Sequence, residues 1–153
     1  NRGHAIRWLR IEGVIMENIA AVAPIITLFV SSLLVLMKLV LGLRVSMYRN
    51  KSNISWGDNG DDQLIRRIRA HANHSEWVPA TMIILGLVEM VGVHPIIVGV
   101  LGAIVVIARS LHAIGLMGNA ESFNRAAGIA MNWIVLLLAS IIGITEFFAP
   151  GSF

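Results

Sequence analysis

Long runs of apolar residues alternate with short polar stretches along this chain. Residues 18–37 and residues 126–145 each contain no charged side chain. Both runs are about as long as the ~20 residues that a helix needs to cross the hydrocarbon core of a bilayer. A third run, residues 77–108, contains a single charge, Glu89. The pattern therefore predicts helices that span a membrane.

The third run is too long for one span, because a helix of that length exceeds the roughly 30 Å hydrocarbon core. Gly92, His94 and Pro95 lie near its middle, and proline disfavours helical geometry in the residue before it. We therefore divide this run into two helices joined by a tight turn. The predicted fold is an all-α, four-helix integral membrane bundle, with spans at roughly residues 17–44, 64–91, 95–118 and 126–147.

The predicted bundle takes up most of the chain. We assign residues 17–149 to the membrane domain, residues 1–16 to an N-terminal extension from which we infer no function, and residues 150–153 to a tail. The most polar stretch, residues 50–63, contains Asp61 and Asp62 near its end. Acidic groups are favourable at the N-terminus of a helix, so we predict that these two residues cap the second helix. The stretch lacks the spacing of an EF-hand calcium loop.

Composition agrees with a bilayer as the solvent. Hydrophobic residues make up 56% of the 153 residues and charged residues 14%, against about 25% charged in a typical soluble domain. A domain of this size has too little interior to bury so much apolar surface, which excludes an ordinary soluble enzyme. The chain has no cysteine, so disulfides and thiolate metal sites are excluded.

The net charge of +3 comes from basic residues beside the spans, so we expect no nucleic-acid partner. Basic side chains are concentrated between the first two spans and at the margins of the segment between the last two, whereas the turn at residues 92–95 has none. The positive-inside rule then places both longer loops in the cytoplasm.

Polar residues cluster in the first half of the second span. Arg69, Asn73 and Glu76 are spaced i, i+4, i+7 and share one helical face, whereas His71 and His74 lie on the other side. A charge at mid-bilayer costs about 2.5–3.5 kcal/mol on insertion scales, so such groups usually meet a partner or a ligand. We interpret one face as a binding surface for a polar molecule and the other as a contact with a neighbouring subunit. An internal network that only ties the helices together remains the alternative.

Further polar groups follow in the last two spans. Arg109 and His112 lie one turn apart on the third helix, and Arg125 stands just before the fourth. A snorkelling arginine at a helix end is the alternative for Arg125. No zinc-binding or Glu-x-x-His pattern accompanies the histidines, so we expect no metal.

The segment RAHANHSEWVP, which begins at Arg69 and ends at Pro79, resembles the R-A-x-x-N-x-x-E-[YF]-x-P signature of the MAPEG family. These membrane-associated proteins in eicosanoid and glutathione metabolism include microsomal glutathione transferases and leukotriene C synthase. The resemblance implies a homotrimer that binds glutathione between subunits on the cytoplasmic side. The likeness to small bacterial members implies a multi-pass protein of a bacterial inner membrane.

The resemblance also implies roles for individual residues. Arg69 would pair with a glutathione carboxylate, Asn73 would bond to the peptide, and Glu76 would bind the α-amino group. A catalytic arginine, matched here by Arg125, would stabilise the glutathione thiolate. The other matched positions are Trp77, Arg109 and His112 in the glutathione site, and Arg44 and His71 reaching across the subunit interface.

Two departures from the family bear on the substrate. His112 and Leu116 stand where leukotriene-type enzymes carry two tyrosines; His112 can still donate a hydrogen bond, but Leu116 cannot. Trp77 replaces the Tyr or Phe of the signature, and the segment before Arg125 is about two residues longer. Eicosanoid synthesis is therefore disfavoured.

Two functions follow from these observations. The first is a membrane glutathione transferase or peroxidase that acts on a lipophilic electrophile or hydroperoxide entering from the lipid bilayer. The alternative is a non-catalytic accessory or scaffold subunit of a larger membrane complex. A small transporter is disfavoured, because broken-helix signals and paired intramembrane acids are missing.

Overall fold

The computed structural model describes residues 23–118 and 122–153 as a bundle of four helices. The helices are α1 (Ile25–Ser52), α2 (Asp62–Met90), α3 (Pro95–Met117) and α4 (Phe123–Phe148). The predicted all-α, four-helix fold is thereby confirmed for these residues. The predicted extension, residues 1–16, and the start of the predicted first span lie outside the described residues.

Three of the helices, α1, α3 and α4, are long and apolar enough to cross a membrane. Large apolar side chains on their outer faces are exposed, among them Phe29, Ile107 and Leu137, as expected where lipid replaces water. α2 is long enough but not apolar enough to be counted with them, because its first half carries the polar cluster.

α2 nevertheless runs the length of α1, in the opposite direction. At one end, the hydroxyl of Tyr48 donates to Asp61, the residue that caps α2, over 3.0 Å. At the other end, the Glu89 carboxylate accepts from the backbone amides of Ile26 (2.8 Å) and Thr27 (2.7 Å) in the first turn of α1. The two helices have 28 and 29 residues, so both extend over the same thickness of the bundle.

The helix boundaries follow local sequence signals. Asp61 accepts from the backbone amide of Leu64 over 2.9 Å, and Asp62 lies in the first turn of α2, which confirms the predicted acidic cap. Gly92, with φ of 95°, and Pro95, the first residue of α3, form the predicted turn between α2 and α3. α1 differs from the prediction, since it continues past residue 44 to Ser52. Its final basic residues are favourable at a helix C-terminus.

Glycines set the close approach of α3 and α4. A Cβ atom on Gly128 would overlap the carbonyl oxygen of Ala108 and lie 2.7 Å from the backbone nitrogen of His112. A Cβ atom on Gly115 would lie 2.5 Å from the backbone nitrogen of Arg125. Small residues allow helix backbones to approach closely in membranes, and here they bring the carbonyl groups of α4 against the polar side chains of α3.

The acidic residues at the far end of the bundle have structural partners. Glu89 binds the first amides of α1, as described above. Glu146, which is 7% exposed, accepts from the backbone amides of Gly151 (2.7 Å) and Phe153 (3.0 Å). The Glu89 carboxylate therefore satisfies first-turn amides that have no partner within α1, and Glu146 holds the residues that follow α4.

Candidate functional site

The polar face of α2 forms one wall of a cavity of about 280 Å³. α2 contributes Arg69, Asn73 and Glu76 to this wall, in the spacing that the sequence predicts. α3 and α4 close the cavity from the other sides. The remaining lining residues are Ile65, Arg66, His112, Leu116, Arg125 and Ile129. The structure therefore brings five of the predicted site residues together from three helices, within one subunit; we call this space the polar cavity.

Arg109 does not line the polar cavity but lies behind it, with 2% of its surface exposed. One guanidinium nitrogen donates to the side-chain oxygen of Asn73 over 3.1 Å, and another donates to the carbonyl oxygen of Gly128 over 3.2 Å. Arg109 therefore ties α2 and α4 to α3. It lies behind Asn73 and orients the side chain of that residue.

The contact with Arg109 also fixes how the Asn73 amide is turned. A guanidinium has only donors, so the amide oxygen of Asn73 must be the atom that faces it. The two N–H groups of the Asn73 side chain remain available to a ligand that presents oxygen atoms.

His112 is 3% exposed and is held by the backbone of α4. Its Nδ1 lies 3.1 Å from the carbonyl oxygen of Arg125. A carbonyl oxygen can only accept, so Nδ1 carries the hydrogen, and Nε2 of the neutral ring is then an acceptor. A hydrogen bond from His112 to a ligand stays a prediction. Nε2 is buried and has no hydrogen-bond partner among the described residues.

Arg125 enters the site from the first turn of α4. Ser122 caps this helix, and its hydroxyl oxygen accepts from the Arg125 backbone amide over 3.4 Å. The Arg125 side chain lines the polar cavity, while its carbonyl group holds His112. Because Arg125 supplies both the guanidinium and this carbonyl, the placement of α4 determines where the guanidinium and the His112 ring lie relative to each other.

The polar cavity has an excess of positive charge. Arg66, Arg69 and Arg125 line it, and Glu76 is the acidic residue among its lining side chains. Arg66 also donates a hydrogen bond to the carbonyl oxygen of Gly118 at the end of α3. This arrangement suits a ligand that carries more negative groups than positive ones.

The structure does not bring Trp77 to this cavity. Its indole ring packs against Trp133 of α4, with ring centroids 6.0 Å apart and an angle of 54° between the planes. Trp133 was not identified from the sequence, since an isolated tryptophan in an apolar helix gives no indication of its partner.

The second polar face of α2 packs against α1 of the same chain. His74 is 2% exposed, and its Nε2 lies 3.0 Å from the carbonyl oxygen of Leu34. The interpretation of this face as a subunit contact is therefore wrong for His74. His71 is half-buried beside α1, where a Cβ atom on Gly42 would lie 3.4 Å from its Nε2. The cross-subunit role of His71 stays a prediction.

Arg44 lies in a second, smaller cleft of about 160 Å³. Gln63, Arg66, Arg67 and Met117 complete its lining. Arg66 is common to this cleft and to the polar cavity, so the two spaces share one side chain. The predicted role of Arg44 at a neighbouring subunit also stays a prediction.

These features define an integral, multi-pass membrane protein of the helical-bundle class, with a cation-rich polar cavity built from three of its helices. Comparison with known families then identifies the particular group: the model of the MAPEG family matches residues 27–145. The chain belongs to the MAPEG family, which confirms the resemblance found in the sequence.

Individual relatives agree with the family assignment. The chain is similar to the Inner membrane protein YecN of Escherichia coli, in two strains, with 29% identity over 109 residues. Each match covers 71% of this chain and 81% of the relative. The name of these relatives places them in the inner membrane and states no reaction or ligand.

Proposed function

We propose that this protein binds glutathione in the polar cavity and activates its thiol for attack on a lipophilic electrophile or a hydroperoxide. The observation that carries this proposal is the convergence of Arg69, Asn73, Glu76 and Arg125 on one cavity. Membership of the MAPEG family supports it independently.

The chemistry of the cavity matches the chemistry of the tripeptide. Glutathione has two carboxylates, one ammonium group and peptide carbonyls. Arg69 is suited to a carboxylate, since a guanidinium can donate two parallel hydrogen bonds to it. Glu76 is suited to the ammonium group, and the free N–H groups of Asn73 are suited to a peptide carbonyl.

Arg125 supplies the electrostatic part of the reaction. A free thiol has a pKa of about 8.5, and the thiolate is the nucleophile. An opposite charge within reach lowers the pKa of an acid by about one to three units, so a guanidinium beside the sulfur favours the thiolate at neutral pH. In a transferase reaction the sulfur then attacks carbon and displaces a leaving group. In a peroxidase reaction it attacks the terminal oxygen of a hydroperoxide, the O–O bond breaks, and the alkoxide leaves with the electron pair and takes up a proton.

We further propose a homotrimer in a bacterial inner membrane, with both longer loops in the cytoplasm. The cleft that contains Arg44 supports this arrangement, because three arginines and a glutamine line it and no acidic residue does. A carboxylate of glutathione bound to a neighbouring subunit would supply the missing negative charge. The YecN relatives support the choice of membrane.

A non-catalytic accessory subunit is the second candidate. The bond from Arg109 to Asn73 favours it, because this bond links α2 and α3 without any ligand. On this alternative, the polar residues only hold the helices together, and the protein purifies with another membrane protein attached.

A glutathione titration distinguishes the two candidates. Purified, detergent-solubilised protein is titrated near pH 7 by calorimetry, and thiolate formation is followed by its ultraviolet absorbance. S-methylglutathione, which has no thiol, serves as the control and should bind without the absorbance change. Saturable binding with a thiolate signal supports the transferase or peroxidase. Failure of both ligands to bind an intact assembly favours the accessory subunit.

A further inference from the structure

We infer that His112 is the base that accepts the thiol proton in the polar cavity. This inference rests on the proposed function and assigns a step that Arg125 cannot perform, since a guanidinium stabilises a thiolate but has no lone pair to receive its proton. The imidazole of His112 has such a lone pair.

The first support is the tautomer of the ring. The carbonyl oxygen of Arg125 lies 3.1 Å from Nδ1 and requires a hydrogen on that atom. A hydrogen bond at one ring nitrogen determines the role of the other. The lone pair of the neutral imidazole is therefore on Nε2, as in other sites where a fixed partner orients a histidine base.

The second support is that Nε2 is unused by the protein. It is buried and has no hydrogen-bond partner among residues 23–118 and 122–153. A buried polar atom without a partner costs about 1–3 kcal/mol. This one belongs to a ring in the wall of the polar cavity, where a bound thiol would satisfy it.

Charged groups surround the ring from each helix that packs around it. Arg109 lies one turn away on α3, and Arg125 faces it from α4. Across the cavity, α2 presents Arg69 and Glu76. The cations stabilise the thiolate that remains after the proton has moved, so proton transfer and charge stabilisation are divided between His112 and the arginines.

Proton transfer from the thiol to His112 precedes the attack on the electrophile. The S–H bond of glutathione breaks, its electron pair stays on sulfur, and the proton bonds to Nε2. The thiolate then forms a bond to the ring carbon of an aryl halide, a model lipophilic electrophile, and the halide leaves with the electron pair of the carbon–halogen bond. Nε2 releases its proton to water, which restores the neutral imidazole.

His112→Asn is a matched variant for the test. The asparagine side-chain nitrogen can take the place of Nδ1 and donate to the Arg125 carbonyl, but the variant has no atom at Nε2. We expect S-methylglutathione to bind within about twofold of wild type. Thiolate formation after rapid mixing with glutathione should slow by about 10²–10⁴-fold, the usual contribution of a general base. Its rate in the variant should rise with hydroxide concentration.

The possible results of this experiment distinguish a failure of this inference from a failure of the proposed function. If glutathione does not bind wild type, the proposed function fails. If it binds, and His112→Asn forms thiolate as fast as wild type, His112 is not the base.

A second measurement needs no variant: in wild type, the rate of thiolate formation should not depend on the concentration of an added buffer base such as imidazole. A rate that rises with external base would overturn the inference.

Discussion

Asn73 and Arg109 lie on different helices and are joined by a hydrogen bond of 3.1 Å from guanidinium to amide oxygen. The bond turns the N–H groups of Asn73 away from Arg109 and leaves them for a ligand. One substitution can therefore separate the contact with Arg109 from the proposed contact with glutathione, because an aspartate keeps the oxygen and removes both N–H groups.

We expect Asn73→Asp to fold and to lose affinity for glutathione. Arg109 still has an acceptor, so the thermal unfolding midpoint should not fall. The ligand loses a donor and meets an additional negative charge. A neutral hydrogen bond contributes about 0.5–1.5 kcal/mol and the added charge repels the peptide oxygen, so calorimetry should show binding ~10-fold weaker. Unchanged affinity would mean that Asn73 does not donate to glutathione.

Glu76→Gln should weaken glutathione binding, because the α-amino group loses its ionic partner. We expect a reduction of about 10-fold or more in calorimetric affinity, since removing one partner of a charge-assisted hydrogen bond costs about 1.5–3 kcal/mol. Asp62→Asn is the control, because it removes the same charge from an exposed position at the start of the same helix. Equal affinities in the two variants would argue against the role of Glu76.

Arg125→Ala should keep glutathione binding and lose the thiolate. The variant retains the backbone carbonyl that holds His112, so the effect belongs to the guanidinium. The pKa of the bound thiol should rise by about one to three units, which a pH titration of the thiolate absorbance measures. Arg49→Ala is the control, since Arg49 bonds to the carbonyl oxygen of Gly57 outside the cavity. A thiolate that persists in Arg125→Ala identifies Arg125 as a snorkelling residue.

Gly128→Ala should destabilise the bundle, because a Cβ atom there would overlap backbone atoms of α3. Overpacking typically costs about 1–3 kcal/mol, and thermal unfolding in detergent should detect it. Gly99→Ala is the matched control: among the described residues, no atom beyond the local helix backbone lies within 4 Å of a Cβ atom at Gly99, and alanine favours a helix by about 1 kcal/mol over glycine. Equal stability of the two variants would contradict the close contact of α3 and α4.

Asp61 links the stability of the bundle to pH. The hydrogen bond from the backbone amide of Leu64, helped by the Tyr48 hydroxyl and the charge of Arg67, lowers the pKa of Asp61 below its usual 3.8. A carboxylate whose pKa is lower in the folded state stabilises the fold above about pH 3.8, and this contribution disappears as the pH falls through the folded pKa. Asp61→Asn should therefore be less stable than wild type at pH 7, and the difference should shrink below pH 3.8. A difference that does not change with pH would exclude a contribution from the charge.

Local signals in the sequence were sufficient for the helices and for most of their ends, although α1 continues past the predicted residue 44 to Ser52. Apolar run length predicted the helices, Pro95 predicted the turn before α3, and Asp61 predicted the cap of α2. The face shared by Arg69, Asn73 and Glu76 also followed from the sequence, because spacing along one helix determines which side chains are neighbours.

Contacts between helices required the structure. The bond of His112 to the Arg125 carbonyl depends on how closely α3 approaches α4, and this distance is set by Gly115 and Gly128. These glycines had no predicted role, although glycine inside an apolar helix is a signal of close packing. The pairing of Trp77 with Trp133 was missed for the same reason, since periodicity along one helix carries no information about its neighbour.

The carboxylate that binds the start of α1 has a consequence for biosynthesis. Glu89 follows Ile26 by 63 residues, so the ribosome completes α1 well before it makes this partner. The amides of Ile26 and Thr27 receive the carboxylate only after the whole of α2 has been translated. Among the described residues, these amides therefore first find this partner when both α1 and α2 have been made. α1 alone does not satisfy them.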